Sequence, residues 1–270
     1  MESSRTIIGI DFSGAAKAGR KIWITSATYD QEGLHVNDCI QGKDLLTSAI
    51  NLNACLSALV AFISRQNGAA VVGIDFPFSI PQKLIPNGTS WQDFVKSFPE
   101  RYKTADAFKN LCWEDAGQRE LKRTTDEESK TPFSAYNLRL YKQTYHGING
   151  VLRPLLIPGG AWIAPMQDAI PGRPVILEIC PASTLKNLGL PSQGYKGKGD
   201  EKKEVRKQIV GELSGKGYVQ SIASDAALRI ETDTEGDALD SLVACVAAAR
   251  ANVAPAPIGS PYRIEGYVYV

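Results

Sequence analysis

The stretch Ile7-Ile8-Gly9-Ile10-Asp11-Phe12-Ser13-Gly14 (IIGIDFSG) begins as an apolar run and stops on a carboxylate. Val71-Val72-Gly73-Ile74-Asp75-Phe76 repeats the arrangement some sixty residues later. Both runs are short, branched and apolar, the pattern of a strand covered on both faces. Between them, KIWITSATY at 21–29 and the segment 34–40 are rich in strand formers and separated by the turn Asp30-Gln31-Glu32-Gly33, which predicts a β-meander. Apolar residues then recur at helical spacing over 45–65, ahead of Asn67-Gly68, a helix with its stop signal. A helix joining the meander to the strand at 69–74 implies a right-handed crossover and a parallel pairing. Ligands collect at the carboxyl ends of parallel strands. If the two runs are neighbours, Asp11 and Asp75 end about 5 Å apart.

Outward from this core, residues 82–174 mix aromatic side chains with charges of both signs. The segment is too long for a plain loop and predicts a mostly helical insertion. Val175-Ile176-Leu177-Glu178-Ile179 resumes the sheet as a fifth strand. A charged helix follows over 202–213, an alanine-rich helix carrying Asp237 and Asp240 over 237–251, and a terminal strand or hairpin over 262–270. The expected fold is one α/β domain over 1–270: a five-stranded mixed sheet, meander first and parallel strands after, flanked by helices and interrupted by the insertion at 82–174.

The bulk numbers narrow the function classes. A net charge of +1 provides no global basic field, so any nucleic-acid partner must be held by local patches. Five widely spaced cysteines without a C-x-x-C pair point to reduced thiols rather than a disulfide framework or zinc site. Only His35 and His146 are present, which speaks against zinc and against a Ser-His-Asp hydrolase. No apolar run is long enough for a membrane span, and the start of the chain has no long apolar stretch; a cytoplasmic location is expected.

Two carboxylates at adjacent strand ends repel each other unless a cation neutralises them. Asp237 and Asp240, three apart at a helix start, share one helix face near the positive end of its dipole. Taken singly, each has an ordinary role: Asp11 or Asp75 in an Asx-turn, Asp237 as an N-cap with Asp240 at N3, Glu178 as partner of an arginine. Taken together, the oxygen-only set Asp11, Asp75, Asp237 and Asp240 reads as a site for Mg²⁺ or Mn²⁺.

This order of elements and acids resembles the ribonuclease H superfamily, in particular its RuvC-like resolvase branch. More closely, GIDFSGA, GIDFPFSIP, LEICPAS, GDALDSLVACVAA and the terminal EGYVYV are similar to the DUF-429 family, predicted from its fold to contain nucleases. The resemblance covers nearly the whole chain and is weakest in the insertion. It implies a ribonuclease H-like fold and adds Glu178 to the acids. The function expected is a two-metal phosphodiester hydrolase in which Asp11 bridges the ions. Its substrate would be a nucleic acid or another phosphate ester. Lys186, Lys198 and Lys202, near Gly197 and Gly199, are candidate phosphate contacts, or else a solvated loop and helix start. In the insertion, Arg119, Arg123, Arg139 and Lys142 are candidate phosphate ligands, with Tyr136 or Trp113 stacking on a base; the alternative is that these aromatics are the insertion's own core. Two rivals stand beside this reading. One is a non-catalytic binding or scaffold protein; the other is an ATP-dependent protein of the actin and sugar-kinase type, for which the chain lacks a second β-rich half.

Overall fold

Ile7–Ile10 of the first strand pair in register with Val71–Ile74, Gly9 opposite Gly73, in parallel. A computed structural model of the chain, which describes residues 4–46 and 50–270, builds one mixed sheet around this pair. Its strands are β1 (Arg5–Asp11), β2 (Trp23–Tyr29), β3 (Leu34–Gln41), β4 (Val71–Ile74), β5 (Trp162–Ile163), β6 (Val175–Ile179), β7 (Ser221–Ile222) and β8 (Val268–Tyr269). They lie in the order β5-β6-β4-β1-β2-β3-β7, with β8 beside β6. Only β2 runs antiparallel to its neighbours.

The meander, the crossover and the parallel core follow the sequence expectation, but the described residues form a sheet of eight strands rather than five. The additional β5, β7 and β8 are two residues each, too short to leave an alternating pattern. The terminal segment is a one-turn helix, Tyr262–Glu265, followed by β8. The helix expected over 45–65 is two helices, Gly42–Leu45 and Leu52–Ser64, and residues 47–49 lie outside the described residues. The Asn51 side chain caps the second helix by accepting from the Ala54 N–H at 3.0 Å.

Strand alternation explains the GIDF repeat. Ile8, Ile10 and Phe12 face one side with Val72, Ile74 and Phe76, and Phe12 packs on Phe76 with ring centroids 4.7 Å apart. Ile7, Val71, Leu177 and Ile179 face the other side, against the helix Asp237–Arg250. The two glycines share that second side. A Cβ on Gly9 would overlap the Ser241 carbonyl and the Cys245 backbone, and one on Gly73 would stand 2.9 Å from the Ala244 carbonyl. Their missing side chains let this alanine-rich helix rest on the strands, and twelve consecutive residues of it, 238–249, are buried.

Residues between β4 and β6 form short helices that cover the opposite face. Their centre is aromatic: Phe98 packs on Phe94, Tyr102, Phe108 and Tyr145 at 4.8–5.7 Å. All five cysteines are free. Among the described residues, no helix is long and apolar enough to cross a membrane.

Candidate active site at the carboxyl ends of the central strands

Asp75 follows β4 directly, and its N–H donates to the Ile10 carbonyl at 3.0 Å. The β1–β4 ladder therefore extends to the two acids, and Asp11 and Asp75 emerge side by side. By alternation both lie on the side of Gly9 and Gly73, toward the start of the helix Asp237–Arg250. That start is capped without Asp237: Gly236 occupies the N-cap, and the Asp233 carboxylate accepts the Ala238 N–H at 2.9 Å. Asp237 and Asp240 are thus released from the capping duty considered for them and turn to the strand ends.

The electrostatics report the proximity. Burial, followed by repulsion from Asp237, Asp240 and Asp75, raises the Asp11 pKa well above the carboxylate range. Burial and the charge of Asp240 push Asp75 up to about 8. Burial takes Asp237 to about 6 and raises Asp240, with Lys196 pulling both the other way. Neither Asp11 nor Asp75 uses its carboxylate in a hydrogen bond among the described residues, although Asp11 is only 7% exposed. An Asx-turn or cap would leave such bonds.

Two residues that the sequence reading passed over complete the cluster. Lys196 Nζ lies 2.5 Å from Asp240 Oδ2 and 3.8 Å from Asp237 Oδ1. The buried Tyr195 hydroxyl donates to Asp240 Oδ1 at 2.7 Å. Burial works against the Lys196 charge, but Asp240 and Asp11 together hold its pKa above the ordinary lysine value. The segment Gly194-Tyr195-Lys196-Gly197-Lys198-Gly199 held the available signal, since glycines bracket the Tyr-Lys pair.

Glu178 lines the same cleft as Asp75 and adds to the charge that raises it, but it comes from the other face of the sheet. It is the register partner of Ile74 and so faces the insertion, away from the side of Asp11. Arg123 Nη1 donates to Glu178 Oε2 at 2.8 Å, Arg123 Nη2 bonds Glu178 Oε1, and the Phe78 N–H donates to Oε2 at 2.8 Å. Arg123 also grips both Asp126 oxygens, at 2.8 and 2.9 Å. Burial would raise both acids; Glu178 stays raised despite Arg123, whereas Arg123 holds Asp126 below its ordinary value. The arginine partner considered for Glu178 is therefore Arg123, and Arg123 is spent on that pairing.

A cleft of about 540 Å³ opens over this end of the sheet, lined by Asp75, Asp240, Tyr195 and Lys196 on one side and by Phe133 and Arg139 of the insertion on the other. Two contacts fasten the insertion over it. Gln143 Nε2 donates to the Asp75 carbonyl at 2.5 Å, and a Cβ on Gly14 would sit 2.7 Å from the Lys142 carbonyl. Gly14 thus serves a close approach between chain segments.

Of the proposed substrate contacts, Arg139 and the paired Arg123 line the cleft; Arg119, Lys142, Lys186, Lys198 and Lys202 do not. Lys186 Nζ donates to the Lys130 carbonyl at 3.4 Å, and Lys142 Nζ lies over the Tyr141 ring at 5.8 Å. Tyr136 is fully buried and Trp113 meets it edge-on at 5.7 Å, so the stacking considered for Tyr136 gives way to a core role. Arg119 donates to the Ala116 carbonyl at 3.2 Å.

The donor set fits a hard divalent cation in kind: oxygen-only, anionic and, among the described residues, with no hydrogen bond to the carboxylates of Asp11 and Asp75. As the side chains stand, no group of three or more His, Cys, Asp or Glu among the described residues is arranged to hold a metal ion, and the Lys196 ammonium supplies positive charge at Asp240.

Fold and site together define an α/β protein with an acidic cleft at the carboxyl ends of its parallel strands. Residues 9–258 match the model of a family described as protein of unknown function, DUF429, and the chain belongs to that family. No curated protein and no solved structure matches the chain.

Proposed function

We propose that this protein is a divalent-metal-dependent phosphodiester hydrolase, nuclease-like in chemistry, with a ribonuclease H-like fold of the RuvC-like type. In this reading residues 1–270 are one domain and 82–174 its insertion. The observation that carries the proposal is the pair Asp11 and Asp75. They are two adjacent carboxylates without hydrogen bonds among the described residues, facing two more on a helix start, in surroundings that raise all four pKa values. A fold maintains such repulsion at a cost unless a cation relieves it.

Asp11, Asp75, Asp237 and Asp240 would hold Mg²⁺ or Mn²⁺, which when bound lowers the pKa of water and stabilises charge on a leaving oxygen. Water adds to phosphorus, the bond from phosphorus to the leaving oxygen breaks, and that oxygen takes a proton, giving a phosphomonoester and an alcohol. Tyr195 orients Asp240, and Glu178 fixes the loop after β4 by accepting the Phe78 N–H. The test is cleavage of phosphodiesters by rigorously purified protein with and without Mn²⁺. Metal-dependent cleavage should vanish in Asp11→Asn, and unchanged cleavage by that variant would remove Asp11 from the mechanism.

A non-catalytic binding module is the second reading, favoured by Lys196, which already neutralises part of the cluster from within the chain. It predicts that neither Mn²⁺ binding nor any measured function responds to replacement of the acids.

A further inference from the structure

The cleft is built for a small ligand. Its volume, about 540 Å³, falls within the roughly 300–1,000 Å³ of pockets that enclose one small molecule. Its roof is tied to its floor through Gln143 and the Asp75 carbonyl. A nucleic-acid duplex is held by a series of cations along its phosphates, and the cleft has no such series. Its lining holds Arg123, Arg139 and Lys196 against Asp75, Asp126, Glu178 and Asp240. Arg123 is bound to Asp126 and Glu178, and Lys196 to Asp240.

That leaves Arg139. It is exposed and makes no ion pair among the described residues. Its guanidinium carbon lies over the Phe133 ring, 5.4 Å from the centroid. Phe133 is half-buried in the same wall, beside the apolar side chains of Pro132 and Leu140, with Ile179 and Pro181 also lining the cleft. A guanidinium without an ion-pair partner, laid over an aromatic ring within an apolar wall, offers its outer plane to a planar body and its N–H edge to one anionic group.

We infer that the ligand of this cleft is a single nucleotide-sized phosphate ester with a planar aromatic body, the base stacked on the Phe133–Arg139 pair and the phosphate within reach of the Arg139 N–H groups, and not a nucleic-acid duplex. This rests on the hydrolase reading and narrows its substrates to phosphodiesters of nucleotide size, for which a mononucleotide is the product-side ligand.

The test is isothermal titration calorimetry of the full chain with adenosine monophosphate, inorganic phosphate and a 20-base-pair DNA duplex, each with and without Mg²⁺. Adenosine monophosphate should bind at one site per chain and more tightly than inorganic phosphate. Arg139→Gln and Phe133→Leu should each weaken it by about tenfold, or 1.4 kcal/mol. Arg139 is exposed, so its variant tests the idea without touching the core, and a thermal melt verifies folding of both. Adenosine monophosphate that does not bind, that binds no better than phosphate, or that binds both variants like the wild type overturns the inference. So does a duplex that binds more tightly than the nucleotide. The hydrolase reading fails separately: absent metal-dependent cleavage with intact, variant-sensitive nucleotide binding retires the hydrolase and upholds the ligand class.

Discussion

Lys196 Nζ sits 2.5 Å from Asp240 Oδ2 at the mouth of the acidic cluster, where a cation bound by the same carboxylates would also place its charge. The Lys196 side chain is 52% exposed, so solvent screens the pair and its loss costs only about 1 kcal/mol. Lys196→Met should therefore lower metal-free stability modestly near neutral pH. It should also enlarge the rise in melting temperature produced by a fixed concentration of Mn²⁺, because the ammonium no longer competes. An equal rise in wild type and variant, followed by circular dichroism, would show that Lys196 and the metal do not share the site.

The raised carboxylates determine how metal-free stability depends on pH. Asp75 titrates at about 8 and Asp237 at about 6 in the folded chain, against about 3.9 for a free aspartate. Between these limits the unfolded chain has released protons that the folded chain retains, so stability falls as pH rises from about 4 to about 8. Thermal melts from pH 5 to 8 without metal should show this decline, and Mg²⁺ or Mn²⁺ at pH 8 should reverse it. Asp75→Asn should flatten the decline and weaken the rescue by metal. A wild-type melting temperature that climbs steadily to pH 8 without metal contradicts the electrostatic account.

Gly9 and Gly73 are register partners beneath one helix, but they are not equally tight. A methyl on Gly9 would meet the helix backbone at the Ser241 carbonyl and 2.7 Å from the Cys245 Cα; on Gly73 it would meet the Ala244 carbonyl at 2.9 Å and the Ala248 Cβ at 3.1 Å. Gly9→Ala should cost about 3 kcal/mol or more and Gly73→Ala less, since overpacking against backbone cannot relax by changing a rotamer. Urea denaturation measures both. Because the helix carries Asp240, the Gly9 variant should also bind Mn²⁺ more weakly than its stability loss explains.

The GIDF repeat was legible because period-two alternation and a buried strand act within a few residues. Gly9 and Asp11 share a face for the same reason that Ile10 and Phe12 do. The direction of Glu178 is a parity question, settled by its pairing with Ile74, and no spacing within VILEI reveals which face meets the final helix. The two-residue strands β5, β7 and β8 exist only because a longer neighbour pairs with them. The roles of Tyr195 and Lys196 depend on where a loop returns after Leu190, which is a tertiary fact. Sequence attached phosphate binding to Lys186, Lys198 and Lys202 by composition, whereas reaching the acids depends on loop path, and Lys196 is the lysine that does so.

Arg123 joins three distant parts of the chain. Its guanidinium binds Asp126 in the insertion, Glu178 on β6 and, through Nη1 at 2.9 Å, the Glu265 carbonyl of the terminal segment. Glu265 in turn accepts the N–H groups of Gln82 and Thr124 at 2.8 and 2.7 Å. Removing the cation leaves two buried carboxylates unpaired, so Arg123→Met should cost about 3–5 kcal/mol near neutral pH. The deficit should shrink toward pH 5. Without Arg123 both acids titrate higher in the folded chain than in the unfolded one, and such groups destabilise increasingly as pH rises. In the wild type Asp126 has the opposite sign: its lowered pKa adds stability that is lost as pH falls through the folded value. Replacing Glu178 with Gln in the Arg123→Met background removes one buried charge while keeping an acceptor for the Phe78 N–H, and should recover part of the loss. Urea denaturation of the single and double variants at pH 5 and pH 8 tests this. A deficit independent of pH would mean that lost packing around the guanidinium, rather than stranded charge, sets the cost.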